Sequence, residues 1–180
     1  NVIMTPGNSL YLDYGQGDPM YEPLNIGNQL SIEMVYNYNP IPKELTADEA
    51  KYILGAQGNV WTEYMKTPEN VEYMVFPRIL ALSEVVWSQL DSKDFADFSN
   101  RLPHQFARLD KQKVNYRIPE PKGLKNILVT DSDKARIELT SPMPTAKIRY
   151  TLDGSEPSEN SIEYTKPIEA SLAENEKKIL

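Results

Sequence analysis

Apolar positions in the first two-thirds of the chain fall into short unbroken runs and longer helical stripes. Val2-Ile3-Met4 is an apolar triplet of the kind that forms a buried strand, and Thr5-Pro6-Gly7-Asn8-Ser9 ends it. Residues 14–40 are rich in Gly, Pro, Asn and Tyr and predict a long structured loop, a feature that is more often functional than not. Thr46 followed by Glu49 forms a capping-box signature for a short helix. Ile53-Leu54-Gly55-Ala56 then predicts a second strand. Thr67 and Pro68 open a longer helix with an N-cap and a proline at its first position. Its apolar stripe, Val71, Met74, Val75, Ile79, Leu82, Val85 and Val86, is wide enough to predict deep packing, and Pro77 should bend it. After Ser92, the residues Phe95, Phe98, Leu102, Phe106 and Leu109 recur as one helical seam. Pro103 lies inside it and predicts a kink or two shorter helices. Strand, helix, strand, helix with short connections is the pattern of a parallel α/β sheet or barrel. Two such units fall short of the eight strands that close a barrel.

The pattern changes after residue 117. Ile118-Pro119-Glu120-Pro121-Lys122 and the following Gly123 read as a stiff, extended linker. Beyond it, Ala135-Arg136-Ile137-Glu138-Leu139 and Ile148-Arg149-Tyr150-Thr151-Leu152 alternate with period two, as half-buried strands do. Asp153-Gly154 marks a tight turn, reinforced by Glu156-Pro157-Ser158. Short runs at Ile162-Glu163-Tyr164 and Pro167-Ile168-Glu169 complete the pattern of a small antiparallel sandwich. The expected organisation is therefore an α/β region over 1–117, a linker over 118–122 and an all-β region over 123–180.

Charge and composition narrow the function. A net charge of −7 argues against nucleic acid and against anionic membrane surfaces as partners. No apolar run approaches 18 residues, so no membrane span is expected. The chain has no cysteine, which excludes a disulfide framework and thiolate metal sites without indicating a compartment. Val2-Ile3-Met4 at one end and Lys177-Lys178-Ile179-Leu180 at the other both look like strand, which leads us to expect a piece of a longer protein.

Few residues offer chemistry. His104 is the sole histidine and follows Pro103 in the helical seam, where an exposed structural role is expected. With one His and no Cys, neither zinc nor a Ser-His-Asp triad is favoured. There is no glycine-rich phosphate loop, and no cofactor is expected. Asp48-Glu49, Glu174 and Glu176 read as solvated charges. Two segments are more promising, because each sets an aromatic ring two residues from a carboxylate just after a strand. In Val60-Trp61-Thr62-Glu63, extended backbone would point Trp61 and Glu63 to one side. In Leu10-Tyr11-Leu12-Asp13-Tyr14, Tyr11 and Asp13 share the same spacing. A flat ring covers the C–H face of a pyranose and a carboxylate accepts its hydroxyls, so each pair suits a sugar. The alternative is a core tryptophan beside a solvated glutamate, and a Tyr-Asp pair in an ordinary loop. Barrels of this class keep their chemistry at the carboxyl ends of the strands, where both pairs would lie.

Three runs taken together resemble a known family. They are Leu54-Gly55-Ala56-Gln57-Gly58-Asn59-Val60-Trp61-Thr62-Glu63-Tyr64, then Val71-Glu72-Tyr73-Met74-Val75-Phe76-Pro77-Arg78, then Ala81-Leu82-Ser83-Glu84-Val85-Val86-Trp87-Ser88. They are similar to the end of the catalytic barrel of the family 20 glycoside hydrolases, the β-N-acetylhexosaminidases. Val2-Ile3-Met4-Thr5-Pro6 with Tyr11-Leu12-Asp13 resembles the preceding strand and loop, and Arg108-Leu109-Asp110 through Val114-Asn115-Tyr116-Arg117 resembles the closing helix. Residues 148–168 resemble the small sandwich domain that often follows that barrel in bacterial enzymes. The resemblance implies the terminal portion of a (β/α)8 TIM barrel over 1–117, followed by a small antiparallel Ig-like β-sandwich. It further implies that the intact enzyme removes terminal N-acetylglucosamine or N-acetylgalactosamine from glycans, and it points to a periplasmic or secreted protein.

The same resemblance implies a role for each matching side chain. Tyr11 would donate its hydroxyl to the substrate's acetamido oxygen. Asp13 and Glu63 would bind O4 and O6, and Trp61 would form part of an aromatic pocket around the acetamido group or the ring. Configuration would be retained without an enzyme nucleophile, the acetamido oxygen itself attacking C1. One departure stands out. The family's general acid and its acetamido-orienting aspartate form an adjacent Asp-Glu pair in a His-x-Gly-Gly-Asp-Glu motif, whereas the Asp48-Glu49 pair here lies in a helix cap and lacks the His and Gly. The 180-residue chain is therefore expected to hold part of a binding pocket and to be inactive alone. The competing expectation is a non-catalytic carbohydrate-binding or interaction module, for which Tyr150 and Tyr164 are the candidate platform.

Overall fold

The computed structural model describes residues 1–125, 127–143 and 146–173. The chain forms two compact units, the first Asn1–Arg117 and the second beginning at Ile118. The expectations for Glu174, Glu176 and Lys177–Leu180 lie outside the described residues.

In the first unit, β1 (Val2–Met4) and β2 (Ile53–Ala56) pair in parallel, with Met4 opposite Ala56. The pairing continues past both strands. Gln57 N donates to Met4 O at 3.0 Å, Asn59 N to Leu10 O at 2.9 Å and Leu12 N to Asn59 O at 2.8 Å. Two segments beyond the carboxyl ends of the strands are thus tied side by side. β1 is not the buried strand its apolar triplet suggests, since Val2 and Ile3 are 48% and 53% exposed. Among the described residues only β2 pairs with β1, which leaves its faces less covered than those of a strand with two neighbours.

Four helices come next along the chain, two of them, α3 and α4, at the expected caps. α1 (Gly7–Leu10) is a single turn after β1. α2 (Ile32–Tyr36) interrupts what reads as loop: Ser31 caps it through Met34 N, and its buried Val35 and Tyr36 pin it down. α3 (Ala47–Ala50) carries the complete Thr46–Glu49 capping box. α4 (Pro68–Val75) is capped by Thr67, which accepts from Asn70 N.

The two internal prolines behave differently from each other. At Pro77 the expected bend is a full break: α4 ends at Val75, and α5 (Arg78–Trp87) starts afresh. Phe76 takes extended backbone angles, which a helix cannot continue through. Met74, Leu82 and Val85 of the stripe are buried, but Val86 is exposed, so the packed face is narrower than the sequence stripe. At Pro103 the helix does not divide into two shorter ones. α6 (Phe95–Gln112) runs through it, capped by Asp94, which accepts from Ala96 N and Asp97 N. Phe98, Leu102, Phe106 and Leu109 are all buried along one side. Four buried side chains at roughly 1.5–3 kcal/mol each outweigh the roughly 3 kcal/mol cost of an internal proline. Tyr36 stacks on Phe98 at 4.8 Å, which joins α2 to this seam. Glu84 of α5 accepts from Tyr36 at 3.0 Å and from Arg101 at 2.7 and 2.8 Å.

Among its described residues the second unit forms two antiparallel ladders. β3 (Lys134–Ile137) pairs with β6 (Ile168–Ser171), and β4 (Arg149–Tyr150) with β5 (Ile162–Glu163). Lys122 and Thr140 exchange main-chain hydrogen bonds at 2.9 Å, so the expected linker takes part in sheet pairing at its end. Asp153 closes its turn by accepting from Ser155 N at 3.0 Å, with Gly154 at positive φ. Neither candidate platform tyrosine is openly exposed: both are half-buried, and Tyr164 Oη accepts from Leu139 N at 2.9 Å.

Candidate functional site

The hydrogen-bond register decides what meets beyond the strands. Tyr11 and Asn59 form a parallel bridge. Two residues further along, Asp13 and Trp61 are neighbours in turn, and the Trp61 main-chain N–H favours the ionised Asp13 carboxylate. The Tyr11 and Trp61 rings lie 6.1 Å apart, tilted at 56°. Tyr14, which pattern reasoning does not single out, adds a third ring 5.8 Å from Tyr11. Gly58 makes the approach possible, because a Cβ there would meet Leu12 Cδ1 and Leu82 Cδ2, each at 3.1 Å.

The carboxylates differ in setting. Asp13 is 6% exposed, and its Oδ1 has no hydrogen-bond partner. Burial raises its pKa above the usual carboxylate value, and the nearby Glu63 charge adds to the rise. The main-chain amides of Asp13 and Trp61 and the Arg78 guanidinium oppose it. An ionised carboxylate with an unused buried oxygen has capacity to accept a hydroxyl. Glu63 is exposed. It sits in a turn closed by Met65 N donating to Thr62 O at 3.1 Å, so strand alternation does not place it. Its charge is nonetheless close enough to act on Asp13. Trp61 is 50% exposed and therefore not core. The four expected residues, Tyr11, Asp13, Trp61 and Glu63, thus lie together at the carboxyl end of the parallel pair, with two rings beside two carboxylates.

Beneath them lies a polar layer. Arg78 is fully buried at the start of α5. It donates to the carbonyls of Leu12, Tyr14 and Leu30 at 2.7, 3.0 and 2.9 Å, and to that of Met74. Burial pushes its pKa down to about 9, so it remains charged at neutral pH. Gln16 donates to Tyr73 O at 2.6 Å. Glu22 pairs with Arg117 at 2.6 Å, its side chain only 1% exposed. No local period announces this layer, because its partners are mostly main-chain carbonyls distant in sequence.

Other features carry less. His104 is exposed on α6. Asp48 pairs with Lys51 at 2.6 Å, and Glu49 serves the α3 cap. Surface cavities of about 530 and 520 Å³ lie elsewhere, the first beside Asn8 and Tyr38 and the second beside Trp87 and Arg101. Neither includes any of the four candidate residues. Ring geometry and a buried carboxylate are more specific than concavity, which makes Tyr11 and Trp61 the centre of the candidate site. No group of acidic or histidine side chains suited to a metal occurs among the described residues.

Residues 1–90 match the catalytic domain of glycosyl hydrolase family 20. The chain belongs to glycosyl hydrolase family 20. Residues 137–177 separately match the Fn3 associated family. A beta-hexosaminidase of Porphyromonas gingivalis is 48% identical over 172 residues, 94% of this chain and 22% of that protein. An N,N'-diacetylchitobiase of Vibrio harveyi is 28% identical over 130 residues, 59% of this chain and 14% of its own length. Among solved structures, the GH20 exo beta-N-acetylglucosaminidase of Vibrio harveyi in complex with N-acetylglucosamine aligns with a TM-score of 0.55 and 36% identity. That alignment covers 62% of this chain and 18% of the other. The beta-N-acetylhexosaminidase of Streptomyces coelicolor, at 23% identity and a TM-score of 0.56, shares the fold. The family 20 chain spans between 14% and 22% of the length of these two curated relatives.

Proposed function

We propose that this chain is the C-terminal part of an exo-acting β-N-acetylhexosaminidase, carrying the sugar-holding half of its site. In this reading 1–117 is the terminal portion of a (β/α)8 barrel, and 123–180 is a small sandwich domain that follows it. The observation that carries the reading is the convergence of Tyr11, Asp13, Trp61 and Glu63 beyond two parallel strands, with Asp13 Oδ1 buried and unpartnered. Tyr11 donates its phenol to the acetamido oxygen and orients it toward C1. Trp61 covers the apolar face of the ring. Asp13 and Glu63 accept hydrogen bonds from the O4 and O6 hydroxyls and fix the terminal sugar. As the acetamido oxygen forms its bond to C1, the glycosidic C–O bond breaks and the leaving oxygen takes a proton from an acid. Water then opens the cyclic intermediate with retention. Holding the amide close to its attack geometry is an orientation effect, and the Tyr11 hydroxyl contributes by fixing the position of the acetamido oxygen. The sequence offers no candidate for the acid or for the aspartate that would orient the acetamido group together with Tyr11, so the 180-residue chain alone is inactive.

A chromogenic N-acetylglucosaminide assay on the intact protein tests the reading. Glu63→Ala removes a charged acceptor worth roughly 1.5–3 kcal/mol, which is about a 10- to 150-fold loss in kcat/KM. Unchanged kinetics would remove Glu63 from the site. Turnover by the 180-residue chain itself would refute the missing-acid argument.

A further inference from the structure

Arg78 touches no substrate in the reading above, yet it holds the main chain on both sides of one residue that does. Its Nη2 binds Leu12 O at 2.7 Å and its Nη1 binds Tyr14 O at 3.0 Å, the carbonyls immediately before and after Asp13. The same two nitrogens also bind Leu30 O at 2.9 Å and Met74 O. One planar group therefore references the Asp13 peptide to the segment before α2 and to the end of α4. A planar fork with five donors can do this; a lysine ammonium cannot reproduce its geometry. Asp13 Oδ1 makes no hydrogen bond of its own, so the direction of its carboxylate depends on its backbone more than on side-chain partners.

We propose that Arg78 is a positioning residue for sugar recognition, setting the Asp13 carboxylate by clamping the Leu12 and Tyr14 carbonyls. This rests on the reading of Asp13 as a ligand of a sugar hydroxyl. Selectivity for that hydroxyl is then governed from a buried residue at the start of α5.

The test uses the intact protein and compares kcat/KM for an N-acetylglucosaminide with its 4-deoxy and 6-deoxy analogues. Asp13→Asn identifies which analogue reports on Asp13, as the one whose turnover the substitution leaves least changed. Arg78→Lys should then lower kcat/KM about 10- to 100-fold for the parent sugar, the scale of a misplaced group. It should have little effect on that same analogue. The double variant should be no worse than Asp13→Asn alone. An equal loss on all three substrates, or additive losses in the double variant, would mean a purely structural role and overturn the proposal. If Asp13→Asn itself discriminates among no substrates, the site reading fails and the proposal with it. Arg78→Gln is the second variant, with near-UV circular dichroism fixing the folded fraction. Absence of folded protein for both Arg78 variants, with Asp13→Asn folded, would assign Arg78 to stability and overturn the proposal.

Discussion

Gly58 is the point at which the two halves of the site are held together, and Gly58→Ala tests that directly. The added Cβ would lie 3.1 Å from Leu12 Cδ1 and 3.1 Å from Leu82 Cδ2, with Leu12 Cγ at 3.5 Å. Both leucines are buried, so neither has free space to turn into. Overpacking of this kind costs roughly 1–3 kcal/mol, while the reduced freedom of the unfolded chain returns roughly 0.4–1 kcal/mol. The expected net loss is about 0.5–2 kcal/mol. Urea unfolding of the 180-residue chain reads it out: with a slope of about 2 kcal/mol/M, each 1 kcal/mol moves the midpoint by about 0.5 M. Leu82→Val withdraws a methylene from the contact, so Gly58→Ala combined with Leu82→Val should lose less than the sum of the single losses. In the intact protein, Gly58→Ala should also weaken turnover, because Leu12 adjoins Asp13 and Gly58 leads to Trp61. A midpoint that stays put or rises, or strictly additive losses, would show that the contact is slack and that Gly58 does not set the spacing.

Three further outcomes are expected. Asp13→Asn should stabilise the chain at neutral pH, because burial raises the Asp13 pKa and its ionisation in the fold costs stability. That cost sets in as pH rises from the usual carboxylate value through the folded-state pKa, so the advantage should vanish at acid pH; urea midpoints showing a pH-independent gain would contradict it. Arg117→Ala leaves the Glu22 carboxylate, 1% exposed and already with one unpartnered oxygen, without the arginine seen at 2.6 Å. A loss of about 3–5 kcal/mol is expected by chemical denaturation, and a loss below about 1 kcal/mol would show that water reaches the pair. Gly123→Ala places a Cβ 2.1 Å from Glu138 O at a φ of +89°, so the Lys122–Thr140 bridge should open. Loss of hydrogen-exchange protection at those two amides would register it, and unchanged protection would count against the clash.

Much of the fold could be read from local signals. Thr46 with Glu49, Thr67 with Pro68, and the apolar runs at 2–4 and 53–56 each carry their own chemistry, and each appears in the structure. Pro77 and Pro103 show the limit. Both lie inside a helical pattern and both are flanked by buried side chains; the backbone distinguishes them, since Phe76 leaves the helical region before Pro77 whereas α6 continues through Pro103. The candidate site was legible where two residues share a short segment, as Tyr11 with Asp13 do. Glu63 joins them by a turn that strand alternation does not describe. Arg78, Gln16 and Glu22 stayed hidden, because Arg78 and Gln16 bind carbonyls, which every residue has, and Glu22 meets a partner 95 positions away.

The chain has two tryptophans, and their settings differ. Trp87 ends α5 at 91% exposure, whereas Trp61 stands half-exposed beside Tyr11. Replacing Trp87 by Phe would remove an emitter already in water and leave one indole at the candidate site. The 180-residue chain would then carry its own optical probe, whose emission wavelength and quenching by iodide follow the entry of a ring-shaped ligand without an attached dye.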